Sequence, residues 1–306
     1  MGKVDPMNVL LNFVREYVDQ SEVRIVNDRL RFRMLPDKAK RFDKGLYDNV
    51  SNFWSGIVEE ISQIKIKYPD NKESIFYVYF VQNDFFAKSH IPEFVNIVGK
   101  PVCSFDEKGF KNSLAYIQSA LDREWCNDEK NVFNRITKLH ECAHLIHSNF
   151  GSRERFIDEG FAEVVPWYIL GYEKRVSTHL TWMRALPKIH TVSDFLNNGF
   201  PYEKRFGKKI ASYKSGYVSA YLFCRAVISG IENKFKISPC KALQKFLDFW
   251  YDTKCYGKDF IIQLAKFAEM DADKLIYTTE YQNAVMNDIE RENKKNVIID
   301  TKERDL

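Results

Sequence analysis

Residues 140–144 read His-Glu-Cys-Ala-His. On a helix, positions i and i+4 lie on one face a turn apart, so two imidazoles at that spacing can grip one metal ion. Glu141 falls about 100° round the helix from His140. That places a carboxylate beside the ion's open side, where it can take a proton from a bound water. The chemistry implied is hydrolysis by an activated water. Catalytic zinc uses three protein ligands and keeps a fourth position open, so the two histidines need a third partner.

The spacing around Gly151 identifies one. Gly151 is a natural residue for ending the helix that carries the histidines. If the next helix returns antiparallel, residues equally far from the turn come level. His144 lies seven residues before Gly151 and Glu159 eight after it, so Glu159 returns beside the metal. Glu163, one turn on, returns level with His140, where it can accept the ring N–H of a ligating histidine. His147 is a rival third ligand, but one helix spreads residues 140–147 over about 10 Å, too far for one tetrahedral ion. Asp158 ranks below Glu159 because it faces another side from Glu163. Cys142, inside the motif, reads as a small packing residue facing away from the metal.

His140-Glu-Cys-Ala-His144, followed by Asp158-Glu-Gly-Phe-Ala-Glu163, resembles the gluzincin class of metallopeptidases. The likeness is nearest to M1-type aminopeptidases and the broad peptidase MA-like group, and it covers roughly residues 130–225. The resemblance implies a zincin-like fold, a bound zinc ion, peptide-bond hydrolysis, and a third ligand from the Glu-Gly-Phe-Ala segment. The stretch Tyr213-Lys-Ser-Gly216 resembles the Tyr-x-x-Gly helix start of that class. Carried over, Tyr213 is the hydroxyl that steadies the oxyanion, with Tyr217 the next choice; a phenol can donate to a developing negative charge without carrying charge itself. Two features depart from the M1 pattern: only 14 residues separate His144 from Glu159, and the Gly-x-Met-x-Asn strand is absent. Aminopeptidase specificity is therefore not implied. The class also implies that the strand before the motif helix, at 113–120, is a sheet edge that pairs with extended peptide. Two rival functions share the site: a zincin-fold effector, toxin or binding protein with a single narrow protein target, and a metallohydrolase acting on a non-peptide amide or ester.

The elements that position these residues follow from periodicity. Apolar residues at helical spacing predict a helix over 7–18. Alternation around Asn27-Asp28 predicts a hairpin over 23–34. Leu46, Val50, Phe53, Trp54, Ile57, Ile61 and Ile64 recur at three- and four-residue steps, predicting an amphipathic helix over 44–66. Residues 75–81 are aromatic or β-branched and predict a buried strand. A long loop containing Pro92, Gly99 and Pro101 follows, then an alternating strand at 113–120. From residue 131 the pattern is helical: 132–150, then a helix from near Arg153 that Pro166 bends or ends, then 211–229, 238–251, 257–269 and 271–290. The expectation is an α+β protein with an N-terminal mixed α/β half containing a small sheet (1–150), a mostly helical half (151–290), a charged, fraying tail (291–306), and an active-site cleft between the halves.

Composition narrows the remaining classes. Forty-six Lys and Arg against 42 Asp and Glu give a net charge of +4 with no basic stripe, so nucleic acid is not an expected partner. The densest basic cluster, Lys204, Arg205, Lys208 and Lys209, reads as a solvated loop. No apolar run spans a membrane, and the N-terminal residues lack the apolar core of a signal peptide. Six cysteines, none in a CxxC pair, are too sparse for a disulfide framework, and reduced thiols in a cytoplasmic protein fit best. His90, His179 and His190 read as structural or surface residues. Trp54, Trp167, Trp182 and Trp250 read as core or groove wall.

Overall fold

A computed structural model of the chain describes residues 16–17, 19–36, 44–64, 75–81, 99–102, 113–119, 132–148, 154–170, 189–200 and 210–303. The chain divides into two compact units, Met1–Asn149 and Phe150–Leu306. Most of the helix expected over 7–18, the basic cluster at 204–209, Gly151, His90, His179 and Trp182 lie outside the described residues.

The first unit is built on a five-stranded sheet. In chain order its strands are β1 (Glu22–Ile25), β2 (Leu30–Met34), β3 (Ile75–Val81), β4 (Gly99–Val102) and β5 (Ser113–Ser119), arranged β1-β2-β3-β5-β4. β1 and β2 form the expected antiparallel hairpin. Asn27 shapes its turn, because its Oδ1 accepts from the N–H groups of Arg29 and Leu30, both at 2.9 Å. β3 runs parallel to both β2 and β5. It is buried on both faces from Phe76 to Phe80, as expected for a parallel strand inside a sheet.

The strand at 113–119 is not an edge. β4 lies antiparallel along its outer side and takes the edge position. The sequence pattern places Gly99 and Pro101 in a loop, because both residues disfavour strands. An edge strand accommodates proline, since only one side of it need supply donors to a neighbour.

Two long helices complete the described part of this unit. α1 (Lys44–Ile61) buries Val50, Phe53, Trp54, Ile57 and Ile61 at the expected three- and four-residue steps. α2 (Val132–Ser148) buries Ile136, Leu139, Cys142, Ala143 and Ile146 on one stripe and packs against α1, β4 and β5. Arg135 ties α2 to α1 with a forked contact to Glu60: Nε donates to Oε2 at 2.8 Å, and Nη2 donates to Oε1. One turn along, Lys138 is buried with its Nζ 6.0 Å from the centre of the Trp54 ring. Together with the buried stripe, these contacts hold one face of α2 against α1.

The second unit is helical: α3 (Arg155–Leu170), α4 (Val192–Asn198), α5 (Ile210–Phe235), α6 (Pro239–Asp252), α7 (Gly257–Phe267), α8 (Ala272–Tyr277) and α9 (Glu280–Glu303). α5 is its axis. Residues 215–224 are all buried, so this helix is wrapped by neighbours, and α3, α6, α7 and α9 all pack on it. An aromatic cluster fills the space around α6: Trp250 meets Phe161 edge-on at 5.8 Å, and Phe249 stacks on Phe267 at 4.7 Å. Pro166 does not end α3, which runs on to Leu170; a proline inside a helix removes a single N–H donor.

Two expectations need correction. The single helix expected over 271–290 is two helices. Asp271 caps α8 by accepting from the N–H groups of Asp273 and Lys274, and the chain breaks at Thr278 before α9 begins. The charged tail also continues as helix to Glu303, and it belongs to the second unit. Its first turns carry the good helix formers Arg291, Glu292, Lys294 and Lys295, and Arg291 pairs with Asp288 one turn back at 2.7 Å. Among the described residues no helix is long and apolar enough to cross a membrane. Cys142, Cys224, Cys240 and Cys255 carry free thiols, and Trp54, Trp167 and Trp250 are buried.

α3 and α5 touch at Gly160. A Cβ there would lie 2.4 Å from the Ala220 carbonyl oxygen and 2.7 Å from Cys224 Sγ, closer than atoms tolerate. Absence of a side chain is what lets the two helices meet. Gly160→Ala should therefore destabilise the protein by about 1–3 kcal/mol, read as a lower urea midpoint. An unchanged midpoint would show that the seam has room. The Arg135–Glu60 fork should show a coupling of about 1 kcal/mol in a double-mutant cycle with Arg135→Ala and Glu60→Ala; additive single-site losses would mean that the fork does not hold α2.

Candidate metal centre

The two histidines of α2 stand one turn apart on a helix that packing holds along one face. Their Nε2 atoms are 3.2 Å apart, and the rings meet edge to face with centroids 4.8 Å apart. Two nitrogens on one tetrahedral zinc ion, each at about 2.0–2.1 Å, are about 3.3 Å apart. The imidazoles are thus already at the separation a shared ion requires.

Glu159 completes the group. One ligand atom from each of His140, His144 and Glu159 lies within 4.8 Å of the other two, and among the described residues these are the only three such side chains so gathered. Two neutral nitrogens and one carboxylate oxygen form a donor set suited to zinc and to several other divalent transition metals. The residues therefore fit a metal ion; they do not by themselves choose the element.

Local sequence explains why α3 can present Glu159. Residues Phe156 to Trp167 are all buried, and three carboxylates lie within that run: Asp158, Glu159 and Glu163 at 8%, 9% and 6% exposure. Burying carboxylates is costly unless cations or donors meet them. One cation is Arg155, a turn before Glu159, whose Nε lies 3.9 Å from Glu159 Oε1. A metal ion held at the triad would add a second positive charge to the same acidic helix. Nothing in the sequence reading singled out Arg155, although its i,i+4 spacing to Glu159 was available as a signal. Gly160 carries no such signal, because the need for a missing side chain appears only once a second helix lies across it.

The other candidates are distributed as follows. Glu141 is half-buried on α2, directly after His140. Glu163 is buried one turn beyond Glu159 on α3. Asp158 is not in the triad. It lies near Cys224, whose thiol is pushed well up, first by burial and then by the Asp158 charge. Tyr213 falls within α5, but its side chain lies outside the described residues, as does that of His147. Tyr217, the alternative hydroxyl, is buried with its ring edge-on to Phe200 at 5.2 Å. His190 has a structural place. Its N–H donates to Ser219 Oγ at 2.9 Å, and its carbonyl accepts from the Gln282 amide at 2.9 Å.

Comparison with known proteins adds no name to this centre: no protein-family model matches the chain, and no curated protein matches it.

Proposed function

We propose that the chain is a zinc-dependent peptidase of zincin-like architecture, with His140, His144 and Glu159 as metal ligands and Glu141 as general base. The observation that carries this reading is the 3.2 Å separation of the two Nε2 atoms within a three-ligand group, with a carboxylate directly following the first histidine. A purely structural metal site closes its coordination with four protein ligands and has no use for an adjacent base.

Bound zinc supplies a Lewis acid that polarises a carbonyl and acidifies a water. The protein's residues do the rest. Glu141 takes a proton from the attacking water and passes it to the leaving amine, so one carboxylate serves first as base and then as acid. Glu163 orients a ligating histidine through its ring N–H. Tyr213, by its likeness to the Tyr-x-x-Gly helix start, donates its hydroxyl hydrogen to the oxyanion. β4 supports a peptide substrate over a small ester. It is a sheet edge packed beside α2, and apart from Pro101, which has no N–H to donate, its outer side can add an extended chain through main-chain hydrogen bonds.

Metal analysis and cleavage of an unbiased peptide library test this together. The wild type should carry close to one zinc per chain, and Glu159→Ala should lose it. Glu141→Gln should keep the metal while cleavage falls by about 10²–10⁴-fold. A wild type that binds no zinc would overturn the metal assignment. Cleavage that survives Glu141→Gln would overturn the assignment of the base. Zinc binding with no cleavage of any library peptide, but with turnover of esters or of one protein, would replace the general peptidase with one of the narrower hydrolases.

A further inference from the structure

The hairpin edge of the sheet carries a pattern suited to a second copy of itself. β1 reads Glu22-Val23-Arg24-Ile25 and, among the described residues, has one strand neighbour, β2. The Val26 N–H donates to the Leu30 carbonyl at 3.0 Å. Antiparallel pairs alternate between exchanging and not exchanging backbone bonds, so Arg24↔Phe32 and Glu22↔Met34 are the bonded pairs of the hairpin. Val23 and Ile25 fall between them and turn their N–H and C=O groups away from β2. Their side chains share one face and are 44% and 70% exposed. An edge with outward backbone groups and apolar side chains is a template for another strand.

Edge strands usually resist such pairing by carrying charge. Here the two charges have opposite signs at i and i+2, so they complement a symmetric copy instead of repelling it. We propose that β1 is a two-fold dimerisation edge that pairs antiparallel with β1 of a second copy, with Val23 facing Val23 on the axis. In this register the outward backbone groups of Val23 meet their own counterparts. Those of Ile25 meet Ser21 of the second copy. Glu22 then stands opposite Arg24 of the second copy, twice by symmetry, in the positions where cross-strand side chains approach most closely. On the other face Ile25 and Val23 of both copies form one continuous apolar row. The neighbouring symmetric register, centred on Arg24, places arginine against arginine and is disfavoured. A four-residue strand buries less than the about 1,200 Å² of a standard interface, so the dimer is weak and concentration-dependent.

Sedimentation velocity on the full chain, from low micromolar to several hundred micromolar, tests the pairing. The wild type should shift with concentration from 36.1 kDa towards twice that mass. Val23→Pro should hold it monomeric, because it removes a donor on the axis that the β1–β2 ladder does not use. Glu22→Arg should weaken association about tenfold by setting like charges face to face. Adding Arg24→Glu to that variant should restore association to within about threefold of wild type, since the exchanged pair has the same complementarity. Circular dichroism confirms that each variant is folded; an unfolded Val23→Pro leaves the charge-reversal pair to decide the question. A wild type monomeric at every concentration would overturn the proposal, as would a dimer indifferent to both Val23→Pro and Glu22→Arg.

Discussion

One helix can bring two ligands to a metal ion and no more. The i,i+4 spacing sets the Nε2 atoms of His140 and His144 3.2 Å apart, and one further turn moves beyond an ion's reach. Everything else about the centre follows from needing a third ligand from another element. That ligand must arrive on a side chain long enough to reach and a backbone firm enough not to wander. Glu159 meets the first condition by its type and the second by its neighbour. Gly160 seats α3 directly on the backbone of α5 at Ala220, so the peptide next to the ligand is held by main-chain contact rather than by flexible side chains.

The helix that supplies Glu159 is therefore under two opposed demands. Packing requires it to be apolar, and twelve consecutive residues are buried. Chemistry requires it to be acidic, and three of those twelve are carboxylates. Ordinary helices separate such demands onto two faces. α3 cannot, because it is surrounded, and so it concentrates negative charge where water is scarce. Arg155 offsets part of that charge from the more exposed first turn of the helix. A cation at the triad would offset more, its attraction strengthened by the low polarity around it.

The parts of this arrangement that show in the sequence are those with a periodic or chemical signature. α1 and β3 announce themselves by apolar spacing, the hairpin by Asn27, and the three ligands by residue type and by their distance from Gly151. The parts that do not show depend on what comes to lie alongside. β4 is too short and too rich in glycine and proline to read as a strand, and it becomes one because β5 offers it a partner. Its presence moves the sheet edge away from the strand that the gluzincin resemblance implies. The break at Thr278 separates two helices with little loss of apolar spacing; it lies where Thr278 turns to extended backbone (φ −123°, ψ 170°) while its hydroxyl donates to the Lys274 carbonyl at 2.8 Å. Gly160 has no side chain to signal anything, and its meaning is the shape of α5.

Cys142 shows how far helical phase alone can decide a ligand set. A thiolate is a better partner for zinc than a carboxylate, and Cys142 lies between the two histidines in sequence. Yet it turns about 200° away from His140 round the helix, into the apolar stripe that packs within the first unit. Burial there, with the Glu141 charge beside it, raises the pKa of the thiol and keeps it protonated. A metal ligand must instead be deprotonated, so the thiol between the two histidines is withheld while a carboxylate fifteen positions beyond His144 is the one that joins their group. Fold, rather than proximity along the chain or intrinsic affinity, determines which donors meet. The outcome is a mixed nitrogen and oxygen donor set in place of a thiolate one, and such a set would leave more positive charge on an ion held there.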